Sequence, residues 1–298
     1  MKKINVLVTG GNGQLGCALR AASAGSGNHY IFSDINSLPG METLYLDVTN
    51  SEGVEIVCDS ENVDVIVNCA AYTNVDKAED DTAFAAVLNR DVPATLAAVA
   101  RSRKATLIQI STDYIFAGDA STPIPEDAQP GPLSVYGATK LAGEKAVRDS
   151  ACNSIIIRTA WLYSQYGRNF VKTIRRLTSE RDSLKVVCDQ VGTPTLADDL
   201  AEFIVDIIDG GKIGKTGTYN FTDEGVCSWY DFAHEICAMA GNRCEITPCS
   251  SVEYPQKARR PSYSVLDKSL VKKTFGIVIP YWRDSLAKCM TQIERNGD

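Results

Sequence analysis

The chain has 298 residues, 44% of them hydrophobic and 22% charged, with a formal net charge of -7. This length and balance suit a soluble globular enzyme with a sizeable core and room for one large domain or two modest ones. The acidic charge excludes a general nucleic-acid binder, which needs a basic face, so an anionic substrate must be met by a local cluster of Arg and Lys.

The opening "MKKINVLVTGG" has two lysines and a short apolar run. The run is too short for a secretory leader, lacks a small-residue cleavage site and breaks into glycines. From there, β-branched runs alternate with helical patterns. The pattern predicts strands over residues 4–8, 30–33, 43–46, 65–68, 106–111 and 155–159. Several are apolar almost throughout, as parallel strands covered on both faces are. Helices are predicted between them over 14–22, 51–59, 82–101 and 136–148. Such alternation makes an α/β fold, a Rossmann-type doubly wound parallel sheet with right-handed crossovers.

After Trp161 the pattern loosens. Helices are predicted over 168–176 and 196–208, a strand over 218–221, and a helix from "SWYDFAHEICAMAG" with Ser228 as N-cap and Gly241 as its stop. Two more helices follow, one near 267–275 and one after Pro280. We expect a first domain over 1–165, completed by part of 186–225, with a smaller mixed α/β substrate lobe over 166–298 interleaved with it. No segment approaches the length of a bilayer span, so no membrane partner is expected.

Ten cysteines are scattered along the chain without a C-x-x-C pair. Cys244 and Cys249 have no His or Cys partners at zinc-finger spacing, so no metal site is expected. Reduced thiols in the cytoplasm are the expected state. The only histidines, His29 and His234, leave little scope for a Ser-His triad.

"VLVTGGNGQLG" follows the first predicted strand and opens the first helix. Gly11, Gly13 and Gly16 fit G-x-G-x-x-G, and Gly10, Gly13 and Gly16 fit the G-x-x-G-x-x-G variant. In that position the glycines allow a tight turn, and the helix N-terminus offers free N–H groups to a pyrophosphate. An ordinary glycine-rich turn is the alternative. Asp34 ends the second strand, where an acidic residue binds the adenosine ribose hydroxyls and repels a 2′-phosphate, a lean toward NADH over NADPH. Asp47, after the third strand, faces the adenine or serves the N-cap region of the next helix.

Thr112 stands at the end of the fifth strand, where open α/β sheets bind ligands at their carboxyl edge. Its hydroxyl is placed to hydrogen-bond a substrate oxygen, or only to satisfy strand-end backbone groups. In "VYGATKLAGEK", Tyr136 and Lys140 are four residues apart, on one helix face. A cation near a phenol lowers its pKa from about 10, and a shift of about three units takes roughly 4 kcal/mol. That makes Tyr136 a proton donor matched to neutral pH. A surface helix that happens to carry Tyr and Lys is the bland reading. The glycine loop, the strand-end Thr and the Tyr-x-x-x-Lys helix, in this order on one alternating chain, argue against it.

With "NCAAYTNVDKAE", "STDYIFAG", "RTAWLYSQYGRNF", "DQVGTPT" and "RRPSYSVLD" added, the sequence resembles the extended short-chain dehydrogenase/reductase family. More narrowly, it is similar to its dTDP-4-dehydrorhamnose reductase branch. The resemblance implies reduction of the C4 ketone of a dTDP-linked 4-keto-6-deoxy sugar by NADPH or NADH, with Thr112, Tyr136 and Lys140 catalytic. It implies that Gly10, Gly13, Gln14 and Leu15 line the pyrophosphate and Asp34 the ribose. Ala70, Ala71 and Tyr72 pass beside the coenzyme, and Lys140 holds the nicotinamide ribose. Thr73, Val75, Asp113, Trp161 and Asn169 border the sugar or nucleotide. Each also has a structural alternative. Arg259, Arg260 and Arg168 are candidates for the diphosphate, or solvated surface charges.

One departure concerns assembly. Some relatives bridge a dimer through magnesium with a Glu after the glycine loop, and Ala18 stands at the matching place, which leaves a homodimer of another kind open. A 4,6-dehydratase needs an acid after the Thr-Asp pair, and Tyr114 follows Asp113 here. An epimerase, which keeps its coenzyme through a closed cycle, and a non-catalytic NADP-binding regulatory subunit are the remaining rivals.

Overall fold

The computed structural model describes residues 3–296. Six strands are labelled here: β1 (Asn5–Thr9), β2 (His29–Asp34), β3 (Leu44–Tyr45), β4 (Val65–Asn68), β5 (Thr106–Thr112) and β6 (Asn153–Thr159). With the strand Gly217–Asn220 they form one seven-stranded sheet in the order Gly217–Asn220, β6, β5, β4, β1, β2, β3. Every pairing in it is parallel. The chain starts in the middle of the sheet, and the order in which strands are added reverses between β1 and β4, so the carboxyl ends of those strands frame the crevice where such folds bind ligands.

The parallel strands are apolar because both faces are covered. On one face Val6 and Val8 of β1 pack with Leu15 and Leu19 of helix Gln14–Ala22 and with Leu200 and Ile204 of helix Ala197–Asp209. On the other, Leu7 and Ile66 meet Val54 of helix Ser51–Ser60 and Leu96 of helix Val92–Arg103. Each fully buried Leu or Ile side chain contributes roughly 1.5–3 kcal/mol. Ala18 is buried in the first of these layers. A third cluster, around Phe232, Ile236, Trp282 and Leu286, lies under the helices Trp229–Met239 and Trp282–Arg295. Ser228 caps the first of those helices in a reciprocal box with Asp231.

Three differences from the sequence reading have physical causes. The helix expected over 82–101 is broken by a π-turn, Val87–Asp91, between Thr82–Ala86 and Val92–Arg103. Pro93 has no N–H to give the Asn89 carbonyl four residues back, which forces the ladder to widen there. This same stretch, Thr82–Arg103, is 22 residues long and holds an 18-residue window with a mean hydropathy of 1.2, enough by length and composition alone to cross a bilayer, contrary to expectation. Here it lies on the sheet with Leu96, Ala97, Val99 and Ala100 buried. Last, the strands Ser183–Val187 and Glu245–Cys249 pair in parallel. They escaped prediction because both are short and the second carries Pro248, which has no ladder donor.

Candidate active site

A cavity of about 870 Å³ opens at the carboxyl ends of the strands, within the range of small-molecule sites. The glycine loop forms one end of it. Gly10 has φ +65°, and a Cβ there would lie 2.7 Å from the Ala70 nitrogen, so the turn passes hard against the chain leaving β4. A Cβ on Gly16 would lie 2.4 Å from the Gly10 oxygen, which lets the helix begin directly on the loop. Gly13 is the N-cap and supplies no side-chain cap, so the first N–H groups of Gln14–Ala22 depend on a partner from the cavity side.

Gly10, Gly13, Gln14, Leu15 and Gly16 all line the cavity, as do Asp34, Asp47, Ala70 and Ala71. This cradle of glycines and uncapped N–H groups fits a dinucleotide pyrophosphate. Asp34, at the end of β2, accepts from the Asn12 N–H at 3.2 Å and the Asn36 N–H at 3.0 Å. Asp47 holds a turn by accepting from the Thr49 N–H and hydroxyl, and the N-cap of helix Ser51–Ser60 is Asn50. Tyr72 is the exception among the expected coenzyme residues. Its side chain leaves the cavity for a cluster with Ala78 and Ala85, where its hydroxyl donates to Asp81 and Phe84 meets its ring edge-on.

The reacting end is built from β5 and the helix Val135–Asp149. Thr112 ends β5 and donates to Asp113 Oδ1 at 3.0 Å, while accepting from the Tyr114 N–H at 3.2 Å. Thr112 and Tyr136 both line the cavity beside one another's chain segments. Ser134 caps the helix by accepting from the Gly137 N–H, which fixes the turn that carries Tyr136. A Cβ on Gly137 would lie 2.2 Å from the Tyr114 carbonyl, so only glycine lets this helix sit so close to the turn that follows β5.

The electrostatics differ from the sequence reading. Burial pushes the Tyr136 phenol above its ordinary range, partly countered by the nearby Thr112 hydroxyl and reinforced by Asp113 and Tyr114. Lys140 shares the face with Tyr136, but its ammonium reaches back to donate to the Ile110 carbonyl at 2.6 Å. Burial brings Lys140 down to about 8, against the pull of Glu144 and Cys69. Asp113 is buried with Oδ2 unpaired, and burial raises its carboxyl to about 6 in spite of hydroxyl contacts from Ser264 and Thr112.

The far end is aromatic and basic. Thr73, Val75, Trp161, Arg168, Asn169, Phe170, Trp229 and Arg260 line it. Trp161 adopts φ +48°, a rare backbone state for a non-glycine residue, and stacks on Trp229 with ring centres 3.6 Å apart. Asn169 spends its amide on capping: it donates to the Ser164 and Tyr166 carbonyls and accepts from the Lys172 N–H. Arg259 is exposed and does not line the cavity. Phe170 and Trp229 were missed in the sequence reading, although "SWYDF" after a strand-like run was a visible signal. Among the described residues, no group of three His, Cys, Asp or Glu is placed to hold a metal ion.

A glycine cradle at the switch point of a parallel sheet, facing a Thr, Tyr and Lys across one cavity, defines an NAD(P)-binding extended short-chain dehydrogenase/reductase. Residues 4–295 match the family model described as the RmlD substrate binding domain. The chain is 37% identical over 290 residues to the dTDP-4-dehydrorhamnose reductase of Aggregatibacter actinomycetemcomitans, covering 94% of this chain and 96% of that protein. It superimposes on the crystal structure of a dTDP-4-dehydrorhamnose reductase from Clostridium acetobutylicum ATCC 824 with a TM-score of 0.91 and 41% identity, covering 98% and 100% of the two chains. The Bacillus anthracis enzyme crystallised with NADP gives 0.87 and 34% over the same shares. The chain belongs to the dTDP-4-dehydrorhamnose reductase family.

Proposed function

We propose that this protein reduces the C4 ketone of dTDP-4-dehydro-L-rhamnose to dTDP-L-rhamnose, with NADPH or NADH as coenzyme, in the supply of sugar for cell-surface polysaccharide. The observation that carries the reading is the convergence of Thr112, Tyr136 and Lys140 on the cavity that the glycine loop also lines, with Lys140 on the same helix face as Tyr136. The coenzyme, when bound, supplies the hydride.

The chain's own residues manage the charge and the proton. As negative charge grows on the C4 oxygen, Tyr136 gives it a proton and Thr112 donates a hydrogen bond to it. The raised phenol keeps its proton until an acceptor arrives. Lys140, brought down to about 8 and anchored on Ile110, is poised near neutral pH to hand a proton back toward Tyr136. General acid help of this kind is worth about 10²–10⁴-fold. The uncapped N–H groups after Gly13 hold the coenzyme pyrophosphate and Asp34 the adenosine ribose. Trp161, Asp113 and Thr73 border the sugar. Arg168, exposed at the cavity mouth, meets the substrate diphosphate.

The reading places the enzyme in the cytoplasm, where its ten unpaired thiols stay reduced. If it forms a homodimer, the buried Ala18 gives no ligand for a metal bridge. The test is NADH and NADPH oxidation with dTDP-4-dehydro-L-rhamnose generated in place, with Tyr136→Phe beside the wild type. Turnover that falls by about 10²-fold or more in the variant is expected. Coenzyme binding without turnover in the wild type would move the assignment to another keto-sugar or to a regulatory subunit.

A further inference from the structure

Tyr114 has no part in the chemistry above, yet it touches both Thr112 and Tyr136. Its N–H donates to the Thr112 hydroxyl oxygen at 3.2 Å. Its ring meets the Tyr136 ring edge-on, with centres 5.5 Å apart and planes at 76°. Its carbonyl lies against Gly137, the residue after Tyr136. The side chain is buried, and its hydroxyl accepts from Arg260 Nη1 at 3.2 Å. Arg260 in turn gives Nη2 to Asp76 Oδ2 at 3.0 Å, while the Ala258 N–H takes Asp76 Oδ1 at 3.0 Å. Lys257 pairs with Asp80 one turn further on. The segment that carries Arg260 is therefore fastened at three points to helix Val75–Ala78 and the turn that follows it, and its guanidinium bridges that helix to Tyr114.

A guanidinium is the group for this task. Its planar fork reaches a carboxylate with one nitrogen and a phenol with another, which an ammonium on a flexible stem cannot do in one fixed geometry. An edge-on aromatic contact sets the plane of the neighbouring ring. We propose that Arg260, held by Asp76, is a positioning residue for the reduction: it fixes Tyr114, and Tyr114 fixes the Tyr136 ring and the Thr112 hydroxyl relative to each other. The proposal rests on Tyr136 being the acid. It removes Arg260 from the candidates for the substrate diphosphate and gives the cavity's own wall a part in the catalytic geometry.

The test is steady-state kinetics of Tyr114→Phe, Arg260→Lys and the double variant, with Tyr136→Phe in parallel and thermal unfolding of each. Tyr114→Phe removes only the oxygen that Arg260 holds and keeps the ring. Each single change is expected to lower kcat by about ten- to a hundredfold, the scale of a small misplacement. The KM for the sugar nucleotide should stay within about twofold, since substrate contacts are kept. The double variant should be no slower than the worse single one, because both break the same link. Asp76→Asn, at a partly exposed site, should give the Arg260→Lys behaviour without touching the cavity floor. A silent Tyr114→Phe would overturn the proposal, as would losses that multiply, or an Arg260→Lys defect confined to KM, which would make Arg260 a substrate ligand. If Tyr136→Phe itself turned over normally, the acid assignment would fall first, and the positioning role with it.

Discussion

The Lys140 ammonium donates to the Ile110 carbonyl at 2.6 Å, so the cation that shares a helix face with Tyr136 is anchored to β5. Burial makes its charged form costly, and its pKa falls from 10.5 to about 8. Between those two values the unfolded chain binds more protons than the folded one, so this group makes stability rise as pH rises from about 8 to 10.5. Lys140→Met is expected to abolish turnover and to lose that rise. Buried thiols such as Cys69 and Cys58 have raised pKa values and pull the other way above about 9. The difference between wild-type and variant urea midpoints across pH 7–10 isolates the lysine, and identical profiles would show that Lys140 is not buried as a cation.

Asp113 gives a second pH dependence of opposite sense. Its carboxyl is raised from 3.8 to about 6, because burial disfavours the charged form. The folded chain holds that proton more tightly, so stability contributed by this group is lost as pH rises from about 4 to 6. At pH 7.5 the charged, half-paired carboxylate costs up to about 3 kcal/mol. Asp113→Asn should therefore be more stable than wild type at pH 7.5, equal to it near pH 4, and poorer in KM for the sugar nucleotide. Equal stability at both pH values would mean that the unpaired Oδ2 is satisfied in solution.

Much of this was legible in the chain, and the gaps have a common origin. The alternation of strands and helices, the glycine loop and the Tyr136 helix follow from periodicity and turn chemistry, which act over a few residues. What escaped depends on partners far apart in sequence. Lys140 finds a carbonyl 30 residues back, and Arg260 finds Asp76 at a separation of 184. Tyr72 sits in an extended segment without alternation, so nothing local says which way its ring turns. Asn169 illustrates the converse: a polar loop residue before an apolar helix reads equally well as a ligand or as an N-cap, and the structure commits its amide to the cap.

Coenzyme choice is tested at Asp34. Its carboxylate faces the cavity and repels a 2′-phosphate. A cation missed in the sequence reading lies close by. Arg20, with its guanidinium 4.2 Å over the Phe32 ring, contacts Asn12 Oδ1 and the Glu42 carbonyl, and the Asn12 N–H is the one held by Asp34. Replacing the carboxylate leaves Arg20 as the nearest charge. Asp34→Ser should raise the NADPH to NADH ratio of kcat/KM by about tenfold, an effect of roughly 1.4 kcal/mol. An unchanged ratio would mean that the ribose does not lie against Asp34.

The helix that carries Tyr136 and Lys140 is locked one turn further along by Glu144, which is buried and meets Arg158 of β6 in a two-pronged pair, Nε to Oε1 at 3.0 Å and Nη2 to Oε2 at 2.9 Å. The Ser111 hydroxyl and Arg148 complete its shell. Burial alone would raise this carboxyl, but Arg158 and the other donors outweigh it and hold it below its ordinary range. Its contribution is therefore present above the unfolded pKa and is lost as pH falls through the folded one. Glu144→Gln leaves the Arg158 guanidinium buried without a countercharge, and the expected cost is about 3–5 kcal/mol in urea unfolding. Glu144→Leu combined with Arg158→Met should recover most of that, since an apolar pair of similar volume needs no compensation. Catalysis should respond separately. Glu144 is the main group holding the Lys140 pKa up, so in folded Glu144→Gln the rate profile should lose its Lys140 limb at lower pH than in the wild type. A variant destabilised as expected but with an unshifted profile would show that Lys140 does not titrate in turnover, and would leave Tyr136 to recover its proton from solvent.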